Sequence, residues 1–150
     1  MQPAFCCAYL KKDEWVQKMK TIISHVPAKT TTSYQCAKCK TKYRSKARAL
    51  QCELLITEEK AFKVGDRVRW CEELHCSAVN KNYWMDGKIQ KILGPALPDF
   101  EYNAKWLGGK LFGKHIFMYE VSWKCPHCKL SCSGRYYSLE LGKIKSGSRK

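Results

Sequence analysis

The chain has 150 residues, a formal net charge of +15 and a hydrophobic content of 45%. Its length fits one compact domain or two very small ones, and its five Trp and eight Tyr exclude a wholly disordered basic tail. So positive a charge on a small body favours a polyanion as partner: nucleic acid first, then an anionic membrane or an acidic protein.

The N-terminal residues bear on the compartment. MQPAFCCAYLKK contains an apolar stretch too short for a signal peptide, and no run in the chain approaches the roughly 18 apolar residues of a membrane span. We therefore expect an intracellular protein, in the nucleus or cytoplasm, without a membrane partner. In such a reducing compartment, clustered cysteines serve more often as metal ligands than as disulfides.

Apolar residues recur at helical spacing between Asp13 and Val26, with Asp13 as N-cap and Pro27 as stop. The pattern predicts a helix that packs one face against the rest of the protein; a dimerisation or partner helix is the alternative. The apolar positions are Trp15, Val16, Met19, Ile22, Ile23 and Val26.

Residues 27–52 form the densest positive segment of the chain and contain no acidic residue. The segment surrounds a Cys-x-x-Cys pair, and such a run also serves as a nuclear or nucleolar address; a merely solvated basic face is the alternative. We expect phosphate contacts from Lys38, Lys40, Lys42, Arg44, Lys46 and Arg48.

Four later segments with alternating apolar residues predict strands, with a turn at Asp86-Gly87. Residues 94–115 lie between the second and third segments and indicate a long, aromatic-studded loop. Four such strands predict a small antiparallel barrel or sandwich. The segments are FKVGDRVRW, with Val64, Val68 and Trp70 on one side; MDGKIQKIL; IFMYEVSWK, with Phe117, Tyr119, Val121 and Trp123 on one face; and GRYYSLELGKI, with Tyr137, Leu139 and Leu141 on one face.

The phrases KVGDRVRW, YWMDGKIQKIL, YEVSW and GRYYSLELGKI carry a resemblance that covers residues 61–144. In their order they resemble the strands of small SH3-like barrels of the Tudor and KOW kind. Members of that superfamily bind RNA or DNA, ribosomal components, or methylated Lys and Arg in aromatic cages. The resemblance implies a binding module on a mainly β fold: an N-terminal helix and a zinc-stabilised basic segment joined to a small SH3-like antiparallel barrel.

We accordingly divide the chain into three parts. Residues 1–56 hold the N-terminal helix and a basic zinc knuckle, and residues 57–145 hold the barrel with its long loop and a second knuckle. Residues 146–150 form a basic tail.

Two Cys-x-x-Cys pairs give the strongest chemical signal: Cys36 with Cys39, and Cys125 with Cys128. Each pair places two thiolates on one edge of a tetrahedral metal, so we expect one or two zinc ions. In a first ligand scheme both pairs share one zinc. A similar two-pair scheme is known from the β-tent folds and the regulatory domains of cytosolic RNA-sensing helicases, which KCPHCKLSCSGRYYSLELGKI resembles.

In a second scheme, Cys71 and Cys76 join the C-terminal pair. The N-terminal pair then takes its partners from Cys6, Cys7, Cys52 or His25. In a third scheme, Cys132 or a histidine replaces one of these ligands. Some of these residues also have an ordinary interpretation. Small buried hydrophobes would account for the cysteines Cys6, Cys7 and Cys52. Surface or structural roles would account for the histidines His75, His115 and His127.

The leading functional hypothesis is a zinc-stabilised nucleic-acid-binding regulatory protein, with RNA favoured. Near the second knuckle, further phosphate contacts are expected from Lys124, Lys129 and Arg135. In composition such a chain resembles accessory proteins of RNA viruses, including silencing suppressors.

The alternative is a Tudor-like module that recognises a peptide or methylated cation through an aromatic pocket. Its candidate residues are Trp70, Tyr83, Trp84 and Trp123. The motifs of serine hydrolases, zinc proteases, phosphate-loop enzymes and zinc deaminases do not occur in the chain, so an enzyme is not expected.

Overall fold

The computed structural model describes residues 32–144. The predicted helix over 13–26 and the basic tail at 146–150 lie outside the described residues. The described part contains, in order, β1 Tyr34–Gln35, β2 Lys42–Tyr43, α1 Lys46–Leu54, β3 Ile56–Thr57, β4 Arg67–Cys76, β5 Lys81–Ala96, α2 Phe100–Trp106, β6 Lys114–Lys124, β7 Ser131–Tyr137, a 3-10 turn Ser138–Glu140 and β8 Leu141–Lys143.

The main sheet is a curled half-barrel with the strand order β3-β6-β5-β4-β8, and β7 pairs with β6 as well. All of these pairings are antiparallel except that of β3 with β6. Strands β1 and β2 form a separate two-stranded ribbon. The predicted mainly β class is therefore confirmed.

Alternation along β6 explains why the sheet buries one face. The predicted apolar face of Phe117, Tyr119, Val121 and Trp123 is buried, as expected. These side chains share one core with inward residues of the neighbouring strands, because antiparallel register places inward residues side by side. The other core members are Phe62, Val68, Leu74, Cys76, Tyr83, Met85, Ile89, Cys125, Tyr136 and Leu141.

The turn predicted at Asp86-Gly87 is wrong, because both residues lie in the middle of β5. Gly87 pairs with Val68 on one side and with Trp123 on the other. A Cβ atom at Gly87 would stand 2.4 Å from Val121 Cγ1, so glycine is needed for close strand approach. The chain reverses instead at residues 77–80, between β4 and β5.

The long loop predicted over 94–115 is partly structured. Strand β5 continues to Ala96, and α2 begins after Asp99, whose carboxylate accepts the backbone N–H of Tyr102 at 2.7 Å. The Tyr102 hydroxyl donates to buried Glu140, which also accepts the backbone N–H of Tyr137 at 2.8 Å. These hydrogen bonds attach α2 to the end of β7.

Two predicted face assignments differ from the structure. Val64 precedes β4 and is 63% exposed, and Leu139 lies in the 3-10 turn and is 52% exposed. Both errors have the same cause, because the alternating apolar pattern continues across residues where the backbone forms a turn.

Candidate metal centres and basic surface

The N-terminal Cys-x-x-Cys pair sits in a tight turn between β1 and β2. The backbone N–H of Cys36 donates to the carbonyl of Thr41, and that of Lys40 donates to the carbonyl of Cys36, both at 3.0 Å. Lys40 has a φ of 62°, the left-handed conformation that closes the turn. We call residues 36–41 the first knuckle.

Four side chains from three elements converge at the first knuckle. Cys36 and Cys39 come from the turn, Cys52 from α1, and His115 from the start of β6. Their ligand atoms all lie within 4.8 Å of one another, and these groups could hold a metal ion. We call these four residues the first cluster.

Measured distances define the first cluster more closely. Cys39 Sγ lies 3.6 Å from Cys52 Sγ, and His115 Nε2 lies 3.3 Å from Cys52 Sγ and 3.8 Å from Cys36 Sγ. The imidazole therefore directs Nε2 at the thiols. Cys36, Cys52 and His115 are all buried, which shields the cluster from water.

Polar groups around the first cluster tune its thiols. Burial opposes ionisation of Cys39, but the hydroxyl of Thr41, 3.1 Å from Cys39 Sγ, and the Thr41 backbone lower the Cys39 pKa. Burial raises the pKa of Cys52 to about 11, although a hydrogen bond from the Tyr43 hydroxyl opposes that rise. Three thiolates whose sulfur atoms lie within 4.8 Å of one another would repel each other, so a cation is the natural partner for this donor set.

The surroundings of His115 in the first cluster favour the neutral form of its imidazole ring. Burial and the nearby Lys38 cation lower the pKa of His115. A neutral imidazole is the form that binds a metal through Nε2. Its Nδ1 atom is buried without a hydrogen-bond partner among the described residues.

The C-terminal pair forms a turn with the same backbone hydrogen bonds. The N–H of Cys125 donates to the carbonyl of Leu130, and that of Lys129 donates to the carbonyl of Cys125, both at 3.0 Å. Lys129 again has a φ of 62°. We call residues 125–130 the second knuckle.

Cys76, at the end of β4, lies next to the second knuckle. Its thiol and those of Cys125 and Cys128 lie within 4.8 Å of one another, and this second cluster could also hold a metal. Burial opposes ionisation of Cys125, but the backbone of Cys128 and His127 lowers its pKa to about 7. Within residues 32–144, no fourth His, Cys, Asp or Glu joins this group at the same mutual distance.

The predicted ligand schemes differ from this arrangement in part. The two pairs lie in separate clusters, so they do not share one metal. Cys76 joins the C-terminal pair as the second scheme proposed, whereas Cys71 is exposed and outside both clusters. Cys52 joins the N-terminal pair, as the same scheme allowed. Cys132 lies in β7 opposite Trp123 and is not in either group.

The third scheme allowed a histidine ligand without saying which one, and sequence reasoning favoured a surface or structural role for His115, whereas the structure places it in the first cluster. One signal was present, since His115 has the same parity in β6 as buried Phe117, Tyr119 and Val121. Its partners Cys36 and Cys39 lie 79 and 76 residues earlier in the chain, so no local spacing links them. Candidates Cys6, Cys7 and His25 lie outside the described residues.

The basic residues predicted to contact phosphates lie on or beside both knuckles, on α1 and on the main sheet. Lys38 is partly engaged, since its Nζ donates to the carbonyl of Leu55 at 2.8 Å. In the second group, Arg135 faces Glu120 at 3.5 Å and Lys129 Nζ donates to the carbonyl of Pro126 at 2.6 Å. All nine residues predicted to contact phosphates are exposed: Lys38, Lys40, Lys42, Arg44, Lys46, Arg48, Lys124, Lys129 and Arg135.

The four aromatic residues predicted to form a pocket do not line one open surface. Tyr83 and Trp123 are buried in the core, where Trp123 Nε1 donates to the Tyr83 hydroxyl at 3.2 Å. Trp70 is half-buried beside Tyr136. Trp84 follows Tyr83 in β5 and therefore points to the opposite face, where it is 47% exposed.

Comparisons of the chain with protein-family models, with curated proteins and with solved structures found no significant match. Within the described residues, neither helix has the length and apolar character needed to cross a membrane.

Proposed function

We propose that the chain is a zinc-stabilised basic protein that binds nucleic acid, with RNA favoured, through the segment folded around the first knuckle. The observation that carries this proposal is the first cluster, whose four donors come together in the middle of the most basic part of the chain. A metal there would hold the cations in one fixed arrangement before the ligand binds.

Zinc suits the first cluster by donor type and by spacing. Three thiols and one imidazole form a usual structural zinc set, with Zn–S distances of about 2.3 Å and Zn–N distances of about 2.0 Å. Donors at those distances around a tetrahedral ion are about 3.5 to 3.8 Å apart. The three separations of 3.3, 3.6 and 3.8 Å lie close to those values, with the shortest slightly below them. Four protein ligands leave no open position, which favours a structural role.

The charge of the folded segment supports a polyanionic ligand. Lys40, Lys42 and Arg44 are exposed on and beside the first knuckle, and Lys46 and Arg48 are exposed on α1. The carboxylate of Glu53 is engaged by the knuckle backbone, where it accepts the N–H of Ala37 at 2.9 Å. Clustered exposed cations of this kind neutralise phosphates and release counterions, so binding would weaken steeply with salt.

The first test combines metal content with RNA binding. Elemental analysis of the purified protein is expected to find zinc, and binding of single-stranded and duplex RNA is expected to weaken between low and high salt. Zinc-free, folded protein would contradict the metal part of the proposal. Zinc-loaded protein that binds neither RNA at low salt would contradict the nucleic-acid part.

A charge variant locates the surface. The triple change Lys40→Ala, Lys42→Ala and Arg44→Ala is expected to weaken RNA binding and to flatten its salt dependence, with zinc content unchanged. Lys38 is left intact because it caps the carbonyl of Leu55. The matched control is the triple change Lys60→Ala, Lys105→Ala and Lys110→Ala, which removes the same charge from exposed positions outside both the first knuckle and the outward face of the sheet. Equal losses in both variants would mean that only net charge matters, which would overturn the knuckle surface.

A further inference from the structure

The half-barrel sheet has a buried face and an open face. Outward residues of β4, β5, β6 and β7 are exposed or half-buried, whereas their inward neighbours pack in the core. The open face is polar with one large exception, Trp84, which is 47% exposed on β5 near the turn that joins β4 and β5. The second cluster lies under one end of this sheet, at Cys76 and Cys125.

Trp84 stands on a rigid support. Its neighbour Tyr83 is buried and is hydrogen-bonded to Trp123 at 3.2 Å, which fixes the backbone of β5 beneath Trp84. Across the strand pair, Trp84 faces Glu73, and the Glu73 carboxylate is contacted by Asn82 Nδ2 at 3.4 Å. Glu73 lies toward β4, and the next outward residue of β5 is Asp86, whose carboxylate is paired with Arg69 at 2.8 Å. One row of the sheet, with its charge balanced, therefore separates Trp84 from Lys88.

Cations on the open face are arranged unusually. Arg67 and Lys88 are directly opposite each other on β4 and β5, a like-charge pair that destabilises a sheet. Other arginines on this face have acidic partners, since Arg69 pairs with Asp86 at 2.8 Å and Arg135 faces Glu120 at 3.5 Å. Among residues 32–144, no ion pair offsets Arg67 or Lys88. A bound anion would remove this repulsion.

Hydroxyl groups continue the row that begins at Arg67 and Lys88. Lys88 is opposite Ser122 on β6, and Ser122 is opposite Ser133 on β7. Ser122 Oγ accepts from Gln90 Nε2 at 2.7 Å, so its own proton is available to donate outward. Lys124, the next outward residue of β6, brings a further exposed cation toward Trp84. The row therefore offers positive charge and hydrogen-bond donors, both of which recognise phosphate oxygens.

We propose that the open face is a second nucleic-acid contact surface and that it takes a single-stranded segment. Trp84 stacks on an unpaired base, and Arg67 and Lys88, with the Ser122 and Ser133 hydroxyls, contact phosphates. This inference rests on the proposed function and names its substrate class. A single strand is required because bases in a duplex are stacked on one another and present no free face to an aromatic ring.

The test compares Trp84→Ala with the wild type for binding of a short oligouridylate and of duplex RNA, by fluorescence anisotropy at two salt concentrations. Loss of one stacking contact is expected to weaken oligouridylate binding by roughly 5-fold to 100-fold, with the salt dependence unchanged. Lys88→Ala is expected to reduce the salt slope by about 0.7. Trp84→Phe keeps an aromatic ring and is expected to retain most of the affinity.

The matched control is Trp106→Ala, which removes a 72% exposed tryptophan from α2, away from the four strands. It is expected to bind oligouridylate as the wild type does. If Trp84→Ala binds as tightly as the wild type while the Lys40/Lys42/Arg44 triple variant loses binding, the sheet surface is overturned and the proposed function stands. If the wild type binds neither RNA, the proposed function fails and this inference fails with it. Thermal melts followed by circular dichroism show whether Trp84→Ala is folded. If its melting temperature is far below that of the wild type, the salt slope of Lys88→Ala decides the proposal instead.

Discussion

The two knuckles have the same backbone but different surroundings. In both, the first cysteine donates and accepts at 3.0 Å, and a lysine at φ 62° follows the second cysteine. The first knuckle is completed by Cys52 from a helix and His115 from the sheet, whereas the second lies at the sheet itself, beside Cys76. A short sequence motif therefore sets the turn, and the fold decides what the turn is attached to.

The two clusters differ in whether their buried cysteines belong to the main hydrophobic core. Cys76 and Cys125 are fully buried members of the main core. Cys36 and Cys52 are also buried, but neither belongs to that core. A metal at the second cluster would support the sheet as a whole, and a metal at the first cluster would attach the basic segment to the sheet through His115.

The largest effect is expected when the second knuckle is broken. The double change Cys125→Ser and Cys128→Ser should remove one zinc and unfold the sheet, because a structural zinc contributes several kcal/mol to a domain whose total stability is about 5 to 15 kcal/mol. Thermal denaturation by circular dichroism, together with zinc content, measures this. Cys71→Ser is the control, since Cys71 is exposed and outside both clusters. A wild-type melting temperature in the double variant would contradict a structural metal at this site.

A smaller and more local effect is expected at the first cluster. His115→Ala should cost one zinc and loosen the knuckle by about 2 to 5 kcal/mol, while the sheet stays folded. Hydrogen exchange checks this: the Cys36 and Lys40 amides should lose protection, and the Cys125 and Lys129 amides should keep it. His115→Cys, which restores a zinc ligand, should recover both the metal and the protection. Equal loss of protection in both knuckles would show that the clusters do not act separately.

A hydrogen bond from the first knuckle to a side chain of α1 gives a second way to distinguish the two knuckles. Glu53 accepts the backbone N–H of Ala37 in the first knuckle at 2.9 Å. Glu53→Ala should lower the zinc affinity of the first cluster by about tenfold and leave the zinc affinity of the second cluster unchanged. Competition with a chromophoric chelator measures both affinities. Glu53→Gln retains an acceptor oxygen and should behave more nearly like the wild type; a loss shared by both clusters would argue against this role.

The smallest effect is expected at the left-handed lysine that both knuckles share. Lys40→Gly and Lys129→Gly each relieve a left-handed residue and should each raise stability by up to about 1 kcal/mol. Only the Lys40 change should also reduce the salt dependence of RNA binding if the first knuckle is the main contact. Thermal melts compare the two variants, and opposite signs would show that the knuckles are not equivalent turns.

Local sequence patterns predicted the parts of the fold that depend on neighbouring residues. The spacing of Cys36 and Cys39, and of Cys125 and Cys128, predicted turns that present two thiols together. The alternation of IFMYEVSWK predicted the buried face of β6. The same reasoning failed at Asp86-Gly87, because a glycine required for close packing between strands has the same local signature as a glycine required for a turn.

The sequence by itself determined the mainly β class, the two cysteine turns and the positive charge around the first of them, since each depends on residue type or short spacing. The tertiary structure decided which distant residues complete each cluster and which aromatic residues remain exposed. His115 reaches Cys36 across 79 residues, and Trp84 is outward while Tyr83 is inward, because pairing of β4, β5 and β6 sets both positions. Strand register is a long-range property, and no window of the sequence contains it.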